Sequence, residues 1–451
     1  MLHHCWRGRL LTIPSATRTS QKFFSSTPGN TSKRQCKVLV VGGGSGGCSV
    51  AAKLASKLGP GKVVVLEPSA NHYYQPMFTL VGGGIKKLED SVAPMKDTLP
   101  SLSTWVKDSV AEFQPDANAV VTKSGEKIEY EQMLVAIGLE LRYDKIPGLL
   151  EALAIPGGSV CSNYSPKYVN RTLEALQKFQ KGNAIFTFPN SPVKCPGAPQ
   201  KVAYLSEHFL RRNKKRRDAK IIYNTSLPVI FGVKHYADVL WKVAESRDIT
   251  VNLRTNLKQV IPERSQAVFE NLDKPGEEYT IEYSLLHVTP PMATPEVLSS
   301  CKELANAAGF VDVDKDTLQH VKYPNIFAIG DCSSTPNSKT AASAAAQAPV
   351  VYRNMVAVME GHSPSASYNG YASCPLVTGY NTCILAEFDY NLQPLETFPL
   401  PQDKERFSMF LLKKHFMPFL YWQFMLNGLW NGPALVRQLL EPLRQEKKKT
   451  P

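Results

Sequence analysis

Acidic residues are absent from the amino-terminal part of the chain, in which the first carboxylate is Glu67. The first 35 residues carry six basic side chains and many serines and threonines, and they lack the long apolar run of a secretory signal. Segments that are acid-poor, basic and rich in hydroxyls are typical of mitochondrial transit peptides. We therefore expect residues 1–35 to be a transit peptide; the alternative is a basic, disordered arm.

Metal-binding and disulfide patterns are also missing. The nine cysteines are odd in number and widely spaced, no CxxC or HExxH motif occurs, and the nine histidines are scattered singly. These spacings argue against a secreted disulfide framework and predict no metal site. The net charge of +13 includes the basic run 211–217, which lacks the interleaved aromatic residues of a nucleic-acid surface. No nucleic-acid partner is expected.

The first complete pattern in the sequence is a dinucleotide-binding βαβ unit. An apolar strand at 37–41 is followed by the glycine-rich turn 42–47, a helix at 48–58 and a second strand at 62–67. Such a turn lets the backbone approach a pyrophosphate, and a carboxylate that ends the second strand accepts hydrogen bonds from a ribose. The residues that match this fingerprint are Gly42, Gly44, Gly47 and Glu67.

Two later strands indicate which dinucleotide is bound. Residues 130–138 predict a strand that ends in a small-residue turn, 323–331 predict a strand closed by Gly-Asp, and a helix of small residues starts within 338–347. These segments resemble the later fingerprints of the glutathione reductase-like flavoproteins. The resemblance implies FAD, with Asp331 hydrogen-bonded to its ribityl chain.

The predicted fold class is α/β, with two Rossmann-like domains of the dinucleotide-binding type. The FAD-binding domain is expected to be discontinuous and to comprise residues 36–150 and 285–360. A second Rossmann-like domain, residues 151–284, is inserted between them, and residues 361–451 form a C-terminal region.

The inserted domain lacks a nicotinamide fingerprint. It has a strand at 184–188, a helix at 200–211 and a strand at 220–223, but the turn between the first two reads PNSPVKCPG, and the last strand ends without an acid. The glycines that would contact a pyrophosphate and the carboxylate that would bind a ribose are therefore both missing. We expect the reductant to reach the flavin by another route.

A cysteine occupies this turn. Cys195 is predicted to lie at the first turn of a helix, where the helix dipole and the neighbouring Lys194 favour the thiolate form. Cys374 is likewise followed by proline, but it lies 374 − 195 = 179 residues further along the chain, so only the fold could bring the two together. Cys332 is expected to be a small buried hydrophobic residue.

Several long stretches resemble the sulfide:quinone oxidoreductase family of mitochondria, over residues 36–440. They include YQPMFTLVGGG, GNAIFTFPNSPVKCPGAPQK, YPNIFAIGDC, SCPLVTGYN and FMPFLYW. The resemblance implies that hydrogen sulfide is oxidised and that electrons pass through FAD to ubiquinone. It also implies that the sulfur is handed to a small acceptor, either glutathione or sulfite.

The same resemblance assigns roles to individual residues. Cys195 and Cys374 would form the redox pair, bridged as a disulfide or through an extra sulfur atom, with Cys374 carrying the persulfide and Cys195 contacting the flavin. The residues that would contact FAD are Ser45, Gly46, Glu67, Gln75, Val110, Asp331, Lys339, Thr340, Ala341 and Ala342.

The C-terminal region contains a long segment without formal charge, residues 416–436, which is rich in aromatic residues. Its length could span a bilayer, but prolines, a glycine and amides interrupt it. An amphipathic helix pair that lies in the interface is therefore favoured over a spanning helix, and a terminal helix that packs on the core is the alternative. We expect peripheral or monotopic association with the mitochondrial inner membrane.

Two other functions remain open on the sequence alone. One is a flavoenzyme similar to the type II NADH:quinone oxidoreductases, although the missing second glycine fingerprint argues against it. The other is an interaction protein that keeps the flavin for stability and has lost turnover, although the cysteine pair argues against that.

Overall fold

The computed structural model describes residues 33–449, with side chains described to residue 443. Most of the expected transit peptide, residues 1–32, lies outside the described residues. The last three positions assigned to it, 33–35, belong to the first strand, where they pair with residues 127–129.

The first βαβ unit forms as predicted. Strand β1 (Lys33–Val41) is followed by helix α1 (Ser45–Leu58) and strand β2 (Val63–Leu66), and β1 pairs in parallel with β2. The helix packs tightly on the turn, because a Cβ added at Gly47 would collide with the carbonyl oxygen of Gly42. Only glycine allows this close approach.

The further elements of the first segment are β3 (Asn71–Tyr73), α2 (Phe78–Gly82), β4 (Val92–Pro94), α3 (Met95–Thr98), β5 (Thr104–Val106), β6 (Val110–Gln114), β7 (Ala119–Thr122), β8 (Lys127–Val135), β9 (Glu140–Leu141) and α4 (Leu149–Ala154). Strands β5 to β8 extend the first sheet, in the order β5-β2-β1-β8-β7-β6. The sheet is mixed: β5, β2, β1 and β8 are parallel, whereas β7 is antiparallel to β8 and β6 is antiparallel to β7.

The inserted unit has its own parallel sheet, of order β10-β17-β11-β12-β13, and a three-stranded antiparallel sheet, β14-β15-β16. Its elements are β10 (Val160–Cys161), α5 (Asn170–Lys178), β11 (Gly182–Phe188), α6 (Ala198–Arg212), β12 (Ala219–Thr225), α7 (Lys234–Ser246), β13 (Ile249–Asn252), β14 (Thr255–Ile261), β15 (Gln266–Asn271), β16 (Glu278–Glu282) and β17 (Leu285–His287).

The end of this unit differs from the expected boundary at residue 284. Strand β17 lies between β10 and β11 and pairs in parallel with both, with Leu285 opposite Ala184. Its residues are completely buried in this second sheet. The inserted unit therefore extends through His287, and the chain returns to the first unit after that point.

The chain then completes the first sheet. The returning elements are β18 (Met292–Ala293), α8 (Glu296–Ser299), β19 (Ile326–Ala328) and α9 (Ala341–Met359). Strand β19 pairs in parallel with β8, and α9 packs against α1. The first unit is thus discontinuous in sequence, as predicted, and Cys332 is fully buried within it.

The C-terminal region forms a hairpin and a helical arm. The hairpin strands are β20 (Ala372–Val377) and β21 (Cys383–Phe388), and the helices are α10 (Phe407–Leu411), α11 (Met417–Leu420) and α12 (Ala434–Lys449). Two π-helical turns, Leu412–Phe416 and Tyr421–Met425, join and extend α10 and α11, so that 407–425 is continuously helical. We call residues 407–425 the C-terminal helical segment.

Between residues 33 and 449, every helix is too short or too polar to cross a membrane. The C-terminal helical segment nevertheless presents large apolar side chains to solvent: Phe407, Leu411, Phe416, Phe419 and Phe424. Helix α12 adds Leu435, Leu439 and Leu443 to the exposed apolar residues.

Candidate active site

A cavity of about 420 Å³ lies where the parallel strands of the two units end. Its wall contains the residues that directly follow β1, β8 and β19, together with the turn after β11. In parallel sheets ligands bind at the carboxyl ends of the strands. The predicted site residues that line this cavity are Gly42, Gly44, Ser45, Gly46, Glu67, Gln75, Cys195, Asp331, Lys339, Thr340, Ala341 and Ala342.

Three predicted site residues are not part of the cavity wall. Gly47 supports the loop from behind through its contact with Gly42. Val110 is a buried residue of β6, opposite Thr122. It lies in a hydrophobic cluster that packs against the first sheet. Cys374 is only 2% exposed and lies behind the wall that its neighbours Ser373 and Pro375 form.

The glycine loop is shaped to admit a phosphate-bearing ligand. The carboxylate of Glu67 accepts hydrogen bonds from the backbone N–H groups of Gly43 (2.8 Å) and Ser69 (2.7 Å), so it holds the loop as well as lining the cavity. A Cβ added at Gly43 would come within 2.9 Å of Glu67, whereas one at Gly44 would meet nothing within 4 Å. The free space at Gly44, in front of the amino end of α1, fits a dinucleotide pyrophosphate.

The other end of the cavity is built around Asp331 and the start of α9. Burial raises the pKa of Asp331, against the lowering effect of Lys194 and Lys339. The Lys339 ammonium donates to the carbonyl oxygens of Ser333 (2.7 Å) and Thr335 (2.8 Å), and burial lowers its pKa to about 8.

Helix α9 begins at the predicted place, with an N-cap. The Thr340 hydroxyl accepts a hydrogen bond from the Ser343 N–H (3.1 Å), and the first residues of the helix line the cavity. An amino-terminal helix end favours negative charge on a group placed before it. The residues present therefore fit a flavin dinucleotide, with the glycine loop at the pyrophosphate and α9 near the ring.

The sequence predicted that Cys195 lies in the first turn of α6, and this prediction is wrong. The helix begins three residues later, at Ala198, and Cys195 has a left-handed backbone with φ of 51°. Its N–H donates to the carbonyl oxygen of Lys339 (2.7 Å), and its own carbonyl oxygen accepts from the Ala198 N–H (2.9 Å) and the Tyr164 hydroxyl (3.3 Å). The bond to Lys339 fastens the cysteine loop to the first unit, and the other two hold it within the inserted unit.

The fold brings Cys374 beside Cys195. Both are free thiols, and the hydrogen bond between them is the largest influence on the pKa of each. A Cβ added at Gly197 would come within 2.6 Å of the Cys374 sulfur, so the turn before α6 lies directly against β20.

The two thiols are held in different protonation states. The hydrogen bond from Cys374 and the charges of Lys201 and Lys413 hold the pKa of Cys195 well below its usual range, despite burial. The same hydrogen bond, together with burial, raises the pKa of Cys374. The lowered pKa and the Lys201 ammonium, 3.5 Å from the sulfur, favour the thiolate form at Cys195, with Cys374 as the donor of the hydrogen bond.

Sequence reasoning named Lys194 as the cation beside Cys195, but the ammonium that contacts the sulfur belongs to Lys201, at 3.5 Å. Lys413 comes from the C-terminal helical segment; its ammonium donates to the Pro76 carbonyl oxygen (2.9 Å), and burial lowers its pKa to about 8. Both lysines are almost completely buried. In the sequence, Lys201 could have been recognised as a charged residue directly before the apolar run 202–205 of the predicted helix. No sequence pattern pointed to Lys413.

This arrangement can carry two-electron sulfur chemistry next to a dinucleotide. Two adjacent thiols can be oxidised to a disulfide with release of two electrons, and a thiolate with a lowered pKa is a good leaving group in the reverse direction. Two Rossmann-like units with such a pair at their junction define a flavin-dependent disulfide oxidoreductase.

Comparison with known proteins gives the family. The pyridine nucleotide-disulphide oxidoreductase family matches residues 36–181. The mitochondrial sulfide:quinone oxidoreductase of Mus musculus is 53% identical over 91% of this chain and 90% of its own, and that of Dictyostelium discoideum is 42% identical over 93% and 92%. The chain belongs to the mitochondrial sulfide:quinone oxidoreductase family.

A solved structure agrees with the fold. The sulfide:quinone oxidoreductase of the hyperthermophilic bacterium Aquifex aeolicus superimposes with a TM-score of 0.74 at 20% identity, covering 91% of this chain and 95% of that one. The predicted α/β class with two dinucleotide-type domains is confirmed, as is the identification of the chain as a flavin-dependent oxidoreductase.

Proposed function

We propose that this protein oxidises hydrogen sulfide at the Cys195–Cys374 pair and delivers the electrons through FAD to ubiquinone. The observation that carries the proposal is the pair itself, which lies at the junction of the dinucleotide cavity and the second Rossmann-like unit. One member of the pair, Cys195, lies where a relative that oxidises NADH would have its glycine turn. Family membership supports sulfide and a quinone as the substrates.

The first step is attack of hydrosulfide on the oxidised cysteine bridge. The new S–S bond forms at Cys374, giving a persulfide, and the bond to Cys195 breaks, so that Cys195 leaves as a thiolate. Lys201 and Lys413 favour this direction of cleavage, because they stabilise negative charge at Cys195. With an extra sulfur atom in the bridge, the same attack would again give a persulfide at Cys374, and Cys195 would leave as a persulfide anion that retains the extra sulfur.

The second step transfers the outer sulfur. A nucleophilic acceptor, glutathione thiolate or sulfite, or a second hydrosulfide when sulfide is the only nucleophile present, attacks the outer sulfur of the persulfide, and Cys374 leaves with the electron pair of the broken bond. Closure of the bridge then releases two electrons from the two cysteine sulfurs. FAD, when bound, supplies the acceptor for these two electrons and the means of passing them to ubiquinone.

The runner-up, an NADH:quinone oxidoreductase, needs a nicotinamide site in the second unit. There the turn after β11 contains Cys195 and three prolines, and β12 ends in Asn224 and Thr225, without a carboxylate. The composition of the turn and the chemistry of the strand end both argue against NADH as the reductant.

We further infer a location at the mitochondrial inner membrane, with peripheral or monotopic attachment. The names of the relatives support the mitochondrion. The exposed phenylalanines of the C-terminal helical segment support attachment to a lipid surface. Phe416 and Phe419 lie about one helical turn apart, and the rings of Phe419 and Phe424 are in contact, with centroids 5.7 Å apart.

Anaerobic titration of the purified flavoprotein with sulfide tests the proposal. We expect sulfide to bleach the visible flavin band and a soluble ubiquinone analogue to restore it. Cys195→Ser and Cys374→Ser should abolish both changes, while Cys301→Ser, at a half-buried free cysteine remote from the pair, should leave them intact. Undiminished turnover in both pair variants would exclude the cysteine route, and a flavin band unaffected by sulfide would favour the interaction protein.

A further inference from the structure

Tyr421, in the second π-helical turn of the C-terminal helical segment, reaches into the first unit. It is 3% exposed. Its hydroxyl lies 2.8 Å from the Ser45 hydroxyl and 2.6 Å from Nε2 of His72, and its ring lies against that of Tyr74, with centroids 4.3 Å apart. A buried tyrosine hydroxyl with two polar partners is specifically placed rather than merely packed.

The direction of each hydrogen bond follows from the far end of the chain of groups. Nδ1 of His72 lies 3.0 Å from the carbonyl oxygen of Gly43, which can only accept, so Nδ1 carries the proton. Burial lowers the pKa of His72 to about 4, so the ring is neutral at pH 7 and Nε2 accepts from Tyr421. The Ser45 hydroxyl then donates to Tyr421.

This chain of hydrogen bonds begins and ends in the same glycine loop. Ser45 is the first residue of α1, and Gly43 lies two positions before it. The N–H of Gly43 is bound to Glu67 and its carbonyl oxygen is bound to His72, so the peptide groups on both sides of this residue are held. Tyr421 thus connects the two sides of the loop that encloses the open space at Gly44.

The segment that carries Tyr421 also closes the cavity. Met417 and Lys413, about one and two helical turns before it, are part of the cavity wall. On the other side of the segment, Phe416, Phe419 and Phe424 are exposed by 51%, 54% and 39%. One short helical segment therefore contacts the glycine loop on its inner side and offers an apolar surface on its outer side.

We infer that Tyr421 is a positioning residue that fastens the C-terminal helical segment to the glycine loop, so that the seating of this segment determines how tightly the flavin dinucleotide is held. The inference rests on the proposed function only for the identity of the cofactor. Loss of the Tyr421 hydroxyl would loosen the C-terminal helical segment, which forms part of the cavity wall. It would also release the glycine loop, because the same hydroxyl connects the segment to that loop.

The test is the FAD dissociation constant of the full-length protein, measured by ultrafiltration and the absorbance of released flavin. Tyr421→Phe removes the hydroxyl and keeps the ring contact with Tyr74. We expect it to raise the dissociation constant about ten-fold, as two buried neutral hydrogen bonds are lost. Ser45→Ala should raise it as well, and the double variant should lose less than the sum of the two effects, because both variants break one chain.

The matched control is Tyr380→Phe, which removes a hydroxyl bonded to the Gly83 carbonyl oxygen (2.7 Å), away from the glycine loop. We expect it to leave FAD affinity unchanged, and the two apoproteins to unfold at similar temperatures. A dissociation constant for Tyr421→Phe within two-fold of wild type, or an equal loss in Tyr380→Phe, would overturn the inference. Failure of the proposed function is distinct: the wild type would then bind FAD and not respond to sulfide.

Discussion

Cys195 has a backbone conformation that residues other than glycine rarely adopt. Its φ of 51° costs about 1 kcal/mol or more relative to the right-handed region. The bonds to Lys339, Tyr164 and Ala198 offset that cost and define one direction for the side chain. The sulfur is thus fixed between the Lys201 ammonium and Cys374, where small displacements would weaken both contacts.

Lys201 is predicted to be the main cationic support of the thiolate. With Lys201→Met, a side chain of similar length without charge, the pKa of Cys195 should rise toward its usual range. Alkylation of the reduced protein by iodoacetamide at pH 7 should slow about ten-fold, since only the thiolate reacts. In the wild type the alkylation rate should change little from pH 7 to 9, whereas a thiol of ordinary pKa would react about 25-fold faster at the higher pH.

Lys194→Met is the control for this experiment. Its side chain is half-buried near Asp331, and Lys201, not Lys194, donates to the Cys195 sulfur. We expect a smaller change in alkylation rate than in Lys201→Met. A larger change in alkylation rate in Lys194→Met than in Lys201→Met would contradict the assignment of Lys201. It would support Lys194, the sequence neighbour of Cys195, as the main cation.

Gly197 is predicted to be required for the contact between the two sulfurs. In Gly197→Ala the added methyl group would meet the Cys374 sulfur at 2.6 Å and the Leu376 side chain at 2.8 Å, so the hairpin or the turn must shift. Sulfide-dependent reduction should fall by at least about ten-fold, as expected when reacting groups move by about 1 Å, while bound flavin is retained. Gly232→Ala, where an added Cβ meets nothing within 4 Å, is the control and should leave the rate of sulfide-dependent reduction unchanged. Equal rates of reduction in the two variants would show that the turn at Gly197 tolerates the shift.

Local patterns in the sequence predicted one part of the site and missed the other. The glycine loop and Glu67 were predictable because their geometry follows from spacing within one βαβ unit. Lys413 and Tyr421 were not, since they reach the cavity from a helical segment more than 300 positions after the loop. The pairing of Cys195 with Cys374 came from family resemblance, because the sequence alone gives no contact across the domains.

At the scale of elements, Pro196 determines where α6 starts. Cys195 precedes Pro196, and a residue before proline is sterically disfavoured in the helical region. The helix therefore starts later, at Ala198, with Pro199 in its first turn. Cys195 therefore lies in the loop before the helix. Its thiolate form depends on Lys201 and Lys413 more than on the amino end of α6.

The C-terminal helical segment is predicted to bind lipid surfaces through its exposed phenylalanines. Replacing Phe416 and Phe419 together by serine removes two side chains that are more than half exposed. Sedimentation with anionic phospholipid vesicles should weaken about ten-fold or more, since each buried phenylalanine contributes about 1.5–3 kcal/mol. The bound flavin should remain, because neither side chain lines the cavity.

Val321→Ser is the matched control, because Val321 is 63% exposed on a different part of the surface. It should leave vesicle binding unchanged. Vesicle binding by the double phenylalanine variant at the wild-type level would place the lipid contact elsewhere, with the apolar residues of α12 as the next surface to test.

At the scale of the whole molecule, the active site exists only where separate parts of the chain meet. The glycine loop comes from the first unit, Cys195 from the inserted unit, and Cys374 and Lys413 from the C-terminal region. The bond from the Cys195 N–H to Lys339 joins the inserted unit to the first unit at the point where electrons must cross. A change in how the units dock therefore alters the cysteine pair and the flavin end of the cavity together.

The architecture predicts that NADH will not replace sulfide as the reductant. The second Rossmann-like unit keeps its parallel sheet, but the turn that would bind a pyrophosphate is tied to Lys339 and Tyr164 through Cys195, and Thr225 ends β12 without a carboxylate. Under anaerobic conditions, millimolar NADH should leave the visible flavin band unchanged over minutes, while an equivalent of sulfide bleaches it. Cys195→Gly, which relieves the left-handed strain, should remove the response to sulfide without creating one to NADH, because the ribose carboxylate is still missing. Rapid bleaching of the wild-type flavin by NADH would instead identify an NADH:quinone oxidoreductase.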